Sequence, residues 1–242
     1  MRAATRTGIR SLRWPVIGVP LALLCGVSRA QEDATALNSI EAQAAMRSRL
    51  ESFMLLVTVT PKTQEMQDPS FTPRQFGLAV RVLESGAAAA AILTSEALIA
   101  ATARIEVATA SDPGHLFDAR AIERPRGLAE LACETPGPCE VARGAAAPVA
   151  PAGSCDPRRV LYALEPAGEG RFVLVPAVVA ARGGVLPDDL ALIQGLFARG
   201  TPLFDAEGRI AAIVVRPAAD GSPRSLAAPL SAPGPDQPEP PP

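Results

Sequence analysis

The chain has 242 residues, with 23 basic side chains against 25 acidic ones and aromatic residues at only 4%. That length holds one large or two small hydrophobic cores, and with so few rings the cores must be built from Val, Ile, Leu and Ala. The charge balance argues against a general nucleic-acid or anionic-lipid binder, which carries an excess of Lys and Arg.

At the amino terminus Arg2, Arg6, Arg10 and Arg13 form a basic stretch with no acidic residue among them. An apolar run from Trp14 to Val27 follows, and then the small-x-small sequence Ser28-Arg29-Ala30. A spanning helix needs about 20 apolar residues, so the run is short for one. The order basic, apolar, small reads as a secretory signal peptide over residues 1–30, cleaved after Ala30. Lipidation at Cys25 competes with this reading, but Leu24 stands where a lipid-attachment box wants a small residue. Cleavage removes five arginines and no carboxylate, which leaves 18 basic and 25 acidic residues and a net charge of −7. The mature chain is expected to be periplasmic or secreted, with no stable membrane insertion and no nucleic-acid partner.

Residues 31–52 carry a loose helical stripe of Ile40, Ala44, Met46 and Leu50, with Arg and Glu on the other side and Asn38 or Ser39 as the cap. From Phe53 the pattern changes to short β-branched and aliphatic runs cut by turn residues. Strands are expected at Met54–Thr60, Phe76–Leu83, Ala88–Thr94, Ala97–Ala108 and Phe117–Ile122. Short strands recurring without a long helix between them indicate an antiparallel sandwich or barrel, here a first unit over residues 53–140. Residues 132–157 are rich in Pro, Gly, Ala and Cys, and 141–157 reads as a linker. The strand pattern resumes over 158–230, at Val160–Leu164, Arg171–Ala180, Ala191–Gln194, Arg209–Val215 and Leu226–Leu230. The Pro-rich tail 231–242 is expected to be disordered.

Three cysteines remain after cleavage: Cys133, Cys139 and Cys155. In an oxidising compartment any two can pair and leave one thiol. Cys133 with Cys139 is favoured, because Pro136-Gly137-Pro138 supplies a turn between them, and so short a ring stabilises by about 2 kcal/mol. No metal or cofactor site is expected, since His115 is the only histidine and the cysteines lack paired C-x-x-C spacing.

The segment Gly200-Thr201-Pro202-Leu203-Phe204-Asp205-Ala206-Glu207-Gly208-Arg209-Ile210, followed by Ala211 to Val215, resembles the strand after the nucleophile in trypsin-like serine proteases of the HtrA/DegP type, which reads approximately GNSGGPLFDxxGxVxGI. Other fragments follow the family's order. Ile92 to Ile99 resembles the ILTNAHVV strand of the catalytic histidine, and Phe117–Ile122 with Gly127–Leu131 resembles the stretch ending in DLALL. Val160–Pro166 resembles VFALGNP, and Leu226–Leu230 resembles the closing GFAIPI strand. Together they span residues 53–230 and imply an all-β, two-barrel trypsin-like (chymotrypsin-type) fold with a short N-terminal helix.

The same resemblance places Ala97 at the histidine position, Gly127 at the aspartate position and Arg199 at the serine position. A serine protease needs a hydroxyl, an imidazole base and an orienting carboxylate, and none of the three residues supplies its part. The GNSGG loop becomes Phe197-Ala198-Arg199-Gly200-Thr201, with Phe197 replacing the glycine that donates to the oxyanion. No catalytic residue is therefore assigned. Ala97, Gly127, Phe197, Arg199, Gly200 and Thr201 are candidate binding residues, and Arg199 is offered to a partner's carboxylate. The expected function is that of an inactive protease homologue that captures a peptide or protein segment between the barrels as an added strand. Two alternatives stand beside it. One is an active endopeptidase with a displaced site, which requires a Ser or Cys such as Cys155 beside His115, a residue expected on the loop after Asp112-Pro113-Gly114. The other is a structural or envelope-assembly protein that acts through its helix and tail.

Overall fold

Short runs of Val, Ile, Leu and Ala form the strands of two closed six-stranded antiparallel barrels, as a trypsin-like fold requires. The computed structural model describes residues 39–62, 74–84, 86–87, 89–100, 102–134, 144–167, 171–183, 186 and 189–230. The expected signal peptide, Cys139 with the turn preceding it, and the tail lie outside the described residues. No described helix is long and apolar enough to cross a membrane.

Helix α1 (Ile40–Glu51) starts at Ser39, whose Oγ accepts the Ala42 N–H at 3.0 Å. The stripe expected along its length is confined to Met46 and Leu50; Ile40 is 87% exposed and Ala44 is also exposed. Ala42 packs partly buried at the start, and the last two turns make the buried contacts. There Met46 and Leu50 cover Gly208, and Arg49 Nη1 donates to the Glu207 carbonyl at 3.0 Å.

The first barrel runs β1 (Met54–Pro61), β4 (Thr102–Thr109), β5 (Asp112–Arg124), β6 (Leu128–Cys133), β3 (Ala91–Ser95) and β2 (Gln75–Leu83), and β2 pairs back onto β1 with Met54 opposite Val80. Two expectations are corrected here. The run Ala97–Ala108 is not one strand: a four-residue helix, α2 (Glu96–Ile99), precedes β4. Leu98 and Ile99 are buried by this turn as well as a strand would bury them, and apolar content alone does not separate the two. His115 lies inside β5 instead of on a loop, because Ala110-Ser111 make the tight turn and pairing resumes at Asp112 opposite Thr109.

The chain then crosses over through β7 (Ala147–Pro148), parallel to β2, and Val149 bridges to Ile210 of the second barrel. Cys155, on the same crossing segment, is fully buried. The second barrel runs β10 (Ala191–Gln194), β13 (Arg224–Pro229), β12 (Ile210–Pro217), β11 (Pro202–Phe204), β8 (Val160–Pro166) and β9 (Phe172–Arg182), with β9 closing on β10.

Each barrel encloses its own apolar cluster, with Leu55, Val57 and Ile92 in the first and Leu161, Ile193 and Leu203 in the second. A third cluster joins them: Leu50, Leu78, Val80 and Leu93 pack with Leu164, Phe204, Ile213 and Val215. Burial of each such side chain is worth about 1.5–3 kcal/mol. The barrels are thus fused along one seam, and the candidate residues lie at its edge.

Candidate functional site in the inter-barrel cleft

Ala97 is carried by α2, which follows β3 directly. Its preceding residue, Ser95, is fully buried and leaves the helix uncapped; its Oγ donates to the Val215 carbonyl on β12 at 2.7 Å. Gly127 ends the tight turn Pro125–Gly127 ahead of β6, where Arg126 at φ 65° and Gly127 at φ 72° both take the left-handed conformation. Arg126 Nη1 donates to the Pro229 carbonyl of β13 at 2.9 Å. Each element of the first barrel that bears a candidate residue is therefore tied to the second barrel by a side chain bonded to a backbone carbonyl.

Arg199 supplies a third tie. Its Nη1 donates to the Ala97 carbonyl at 3.1 Å, between residues 102 positions apart. The guanidinium is thus directed at the protein's own backbone. Next to this contact, Ala97 and Gly127 share the wall of an open pocket of about 400 Å³. A larger pocket of about 810 Å³, lined by Ser48, Glu51, Arg81, Thr109 and Phe172 among others, includes none of the candidate residues.

The loop between β10 and β11 points its polar groups inward. The Phe197 N–H donates to Ser225 Oγ at 3.1 Å, and that hydroxyl donates onward to the Gly195 carbonyl at 2.9 Å. The Ala198 N–H favours the charged form of the Glu165 carboxylate. The Gly200 and Thr201 N–H groups donate to the Val214 and Ala198 carbonyls at 2.8 and 3.1 Å. Three of the five backbone N–H groups of residues 197–201 thus have acceptors within the protein, among them the Phe197 N–H at the position that the resemblance assigns to an oxyanion donor. Burial raises the Glu165 carboxyl above its ordinary range, and the Ala198 N–H opposes that rise.

Phe197 is buried in the second-barrel cluster with ordinary negative φ, an angle any residue adopts. Gly200 takes the unusual angle instead, at φ 83°, and a Cβ there would stand 2.1 Å from the Leu78 carbonyl oxygen. No other residue allows the loop to approach β2 so closely. Thr201 is fully buried, and its Oγ1 has no hydrogen-bond partner among the described residues.

The displaced-site arrangement is not assembled. His115 stacks on Phe117 at 4.5 Å between ring centroids and faces Asp112 at 4.0 Å, with no Ser or Cys bonded to it among the described residues. Cys155 is a free thiol in the second barrel, where Sγ contacts the Ala211 carbonyl at 3.5 Å and burial pushes its pKa up to about 12. Such a thiol is not ionised at neutral pH and is a poor nucleophile. Ser95, Arg126, Glu165 and Ser225 escaped the sequence reading. Their partners lie far away in the chain, and no local motif marks them.

No family model and no curated protein matches the sequence. Solved structures do. The active form of the Rv3671c protease from M. tuberculosis superposes with a TM-score of 0.54 at 16% identity, covering 91% of this chain and 90% of that one. The HtrA-type protease AlgW with a decapeptide gives 0.54 at 19% identity, covering 78% of this chain and 64% of AlgW. AlgW with a tripeptide gives 0.55 at 18%, covering 78% and 60%. The chain spans less than two thirds of the AlgW chains' own length, and at these identities the likeness speaks for the fold. The chain has the two-barrel, trypsin-like fold of the HtrA-type proteases.

Proposed function

We propose that this chain is an exported, noncatalytic homologue of the trypsin-like serine proteases that binds an extended peptide or protein segment in the cleft between its barrels. The observation that carries this reading is the inward-bonded loop 197–201, where the Phe197, Gly200 and Thr201 N–H groups donate to Ser225 Oγ and to the Val214 and Ala198 carbonyls. The identities Ala97, Gly127 and Arg199 at the positions that the resemblance assigns to the triad support it, as does the Arg199 bond to the Ala97 carbonyl. Peptide binding draws support from the bound decapeptide and tripeptide of AlgW, a protein of the same fold. Strand addition uses backbone hydrogen bonds, so it does not depend on a nucleophile.

The test is incubation of the purified chain with a fluorophosphonate serine-hydrolase probe, beside an active trypsin-fold protease, with intact mass as the readout. The expected result is an unmodified chain, and a stoichiometric adduct overturns the reading. The same spectrum tests two further parts of it. Chain isolated from the producing cell should begin at Gln31. It should also be lighter by two hydrogens than the fully reduced chain if Cys133 and Cys139 are paired.

A further inference from the structure

We infer that the pocket between α2 and the 125–127 turn accepts an acidic side chain, glutamate in particular, of the bound segment, with Arg216 as its counter-charge. The inference rests on the reading that the cleft binds a peptide, and it assigns that peptide a chemistry.

Small and apolar residues form the pocket wall: Ala97, Ala100, Gly127, Leu190 and Val215. A Cβ at Gly127 would lie 3.7 Å from the Val215 Cβ, an ordinary contact, so the space is open because the side chains around it are short. Such a wall suits methylene groups. Arg126, Arg216 and Glu96 supply the charge. Arg126 is already committed to the Pro229 carbonyl and faces Asp189 at 3.9 Å. Arg216, at the end of β12, is exposed, and its side chain makes no hydrogen bond or ion pair among the described residues; Glu96, which also lines the pocket, makes none with it.

The charged lining is thus two guanidinium groups and one carboxylate, a local excess of positive charge in a chain whose formal total is −2. A guanidinium fork matches a carboxylate in plane and in hydrogen-bond spacing. An apolar stem ending in a carboxylate satisfies both the wall and Arg216, whereas a lysine meets net repulsion and an amide gains no charge.

Fluorescein-labelled peptides of alanine and valine with one central Glu, Gln or Lys, titrated into the purified chain by fluorescence anisotropy, test this. The Glu peptide should bind about fivefold more tightly than the Gln peptide at low ionic strength, the gain of a part-exposed ion pair. The preference should shrink with added salt and vanish in Arg216→Gln. Ala97→Trp, which fills the pocket, should weaken binding of all three peptides. Equal binding of the Glu and Gln peptides, with both still weakened by Ala97→Trp, overturns the acidic preference and leaves cleft binding in place. Binding that Ala97→Trp does not alter, or no binding of any peptide, overturns both. A preference that survives Arg216→Gln overturns the role of that arginine. Tighter binding of every peptide after removal of residues 231–242 names the chain's own tail, with Asp236 and Glu239, as the occupant in place of a partner.

Discussion

Two adjoining segments of the second barrel, the hairpin 202–210 and the loop 195–201, hold their backbones in different ways. In the hairpin the bonds are local. Asp205 Oδ1 accepts the Glu207 and Arg209 N–H groups at 3.0 and 2.9 Å, Oδ2 pairs with Arg209 Nε at 2.7 Å, and Gly208 turns the chain at φ 74°. In the loop the anchors are remote, since Ser225 and Glu165 come from β13 and β8. The turn of the hairpin is therefore held mainly by side-chain and backbone groups of Asp205 to Arg209 themselves. What the loop presents to the cleft depends on residues about thirty positions away.

The largest break in this contrast comes from Phe197→Ala, which empties the ring's place in the second-barrel cluster and should cost about 3 kcal/mol, read from urea unfolding. A loss close to zero means that the ring does not hold the loop. Asp205→Ala removes two backbone acceptor contacts and an ion pair from the hairpin and should cost about 2 kcal/mol, while leaving peptide binding by the folded chain unchanged. Ser225→Ala should cost about 1 kcal/mol, because it strands the buried Phe197 N–H. Hydrogen exchange at the Phe197 amide should speed up selectively, and unchanged protection there refutes the anchoring role.

Glu165→Gln should have the smallest effect and sharpens the comparison through pH. Burial raises the folded-state pKa of Glu165, so the folded chain holds this proton more tightly than the unfolded one. Stability then falls as pH rises from the ordinary glutamate range through the raised folded value. The variant lacks this fall, and it should be relatively more stable than the parent above that window and not below it. A difference between the two that is flat across pH removes the burial argument.

The barrel architecture was legible in the sequence because each strand is a short β-branched or aliphatic run bounded by turn residues, and the ordered fragments from Ile92 to Leu230 fixed how the strands follow one another. The failures share one physical cause. The stretch Glu96–Ile99 is apolar enough for either helix or strand, and its choice is set by the path that carries it from β3 into β4. Ile40 fits the helical stripe but lies beyond the reach of the surface that α1 covers. The Arg199 bond to the Ala97 carbonyl spans 102 positions, and no local pattern marks it. The positions of the candidate site could thus be read locally, whereas the bonds that define its chemistry could not.

The most direct measurement places a photoreactive benzophenone side chain at position 97 in the producing cell and maps its adducts by mass spectrometry, with position 222, a part-exposed bend residue outside the pocket, as the control. The account predicts capture of an intact, extended segment of another protein at 97 and not at 222. Equal capture at both positions, or recovery at 97 of segments cut beside the crosslink, would contradict a cleft that binds without cleaving.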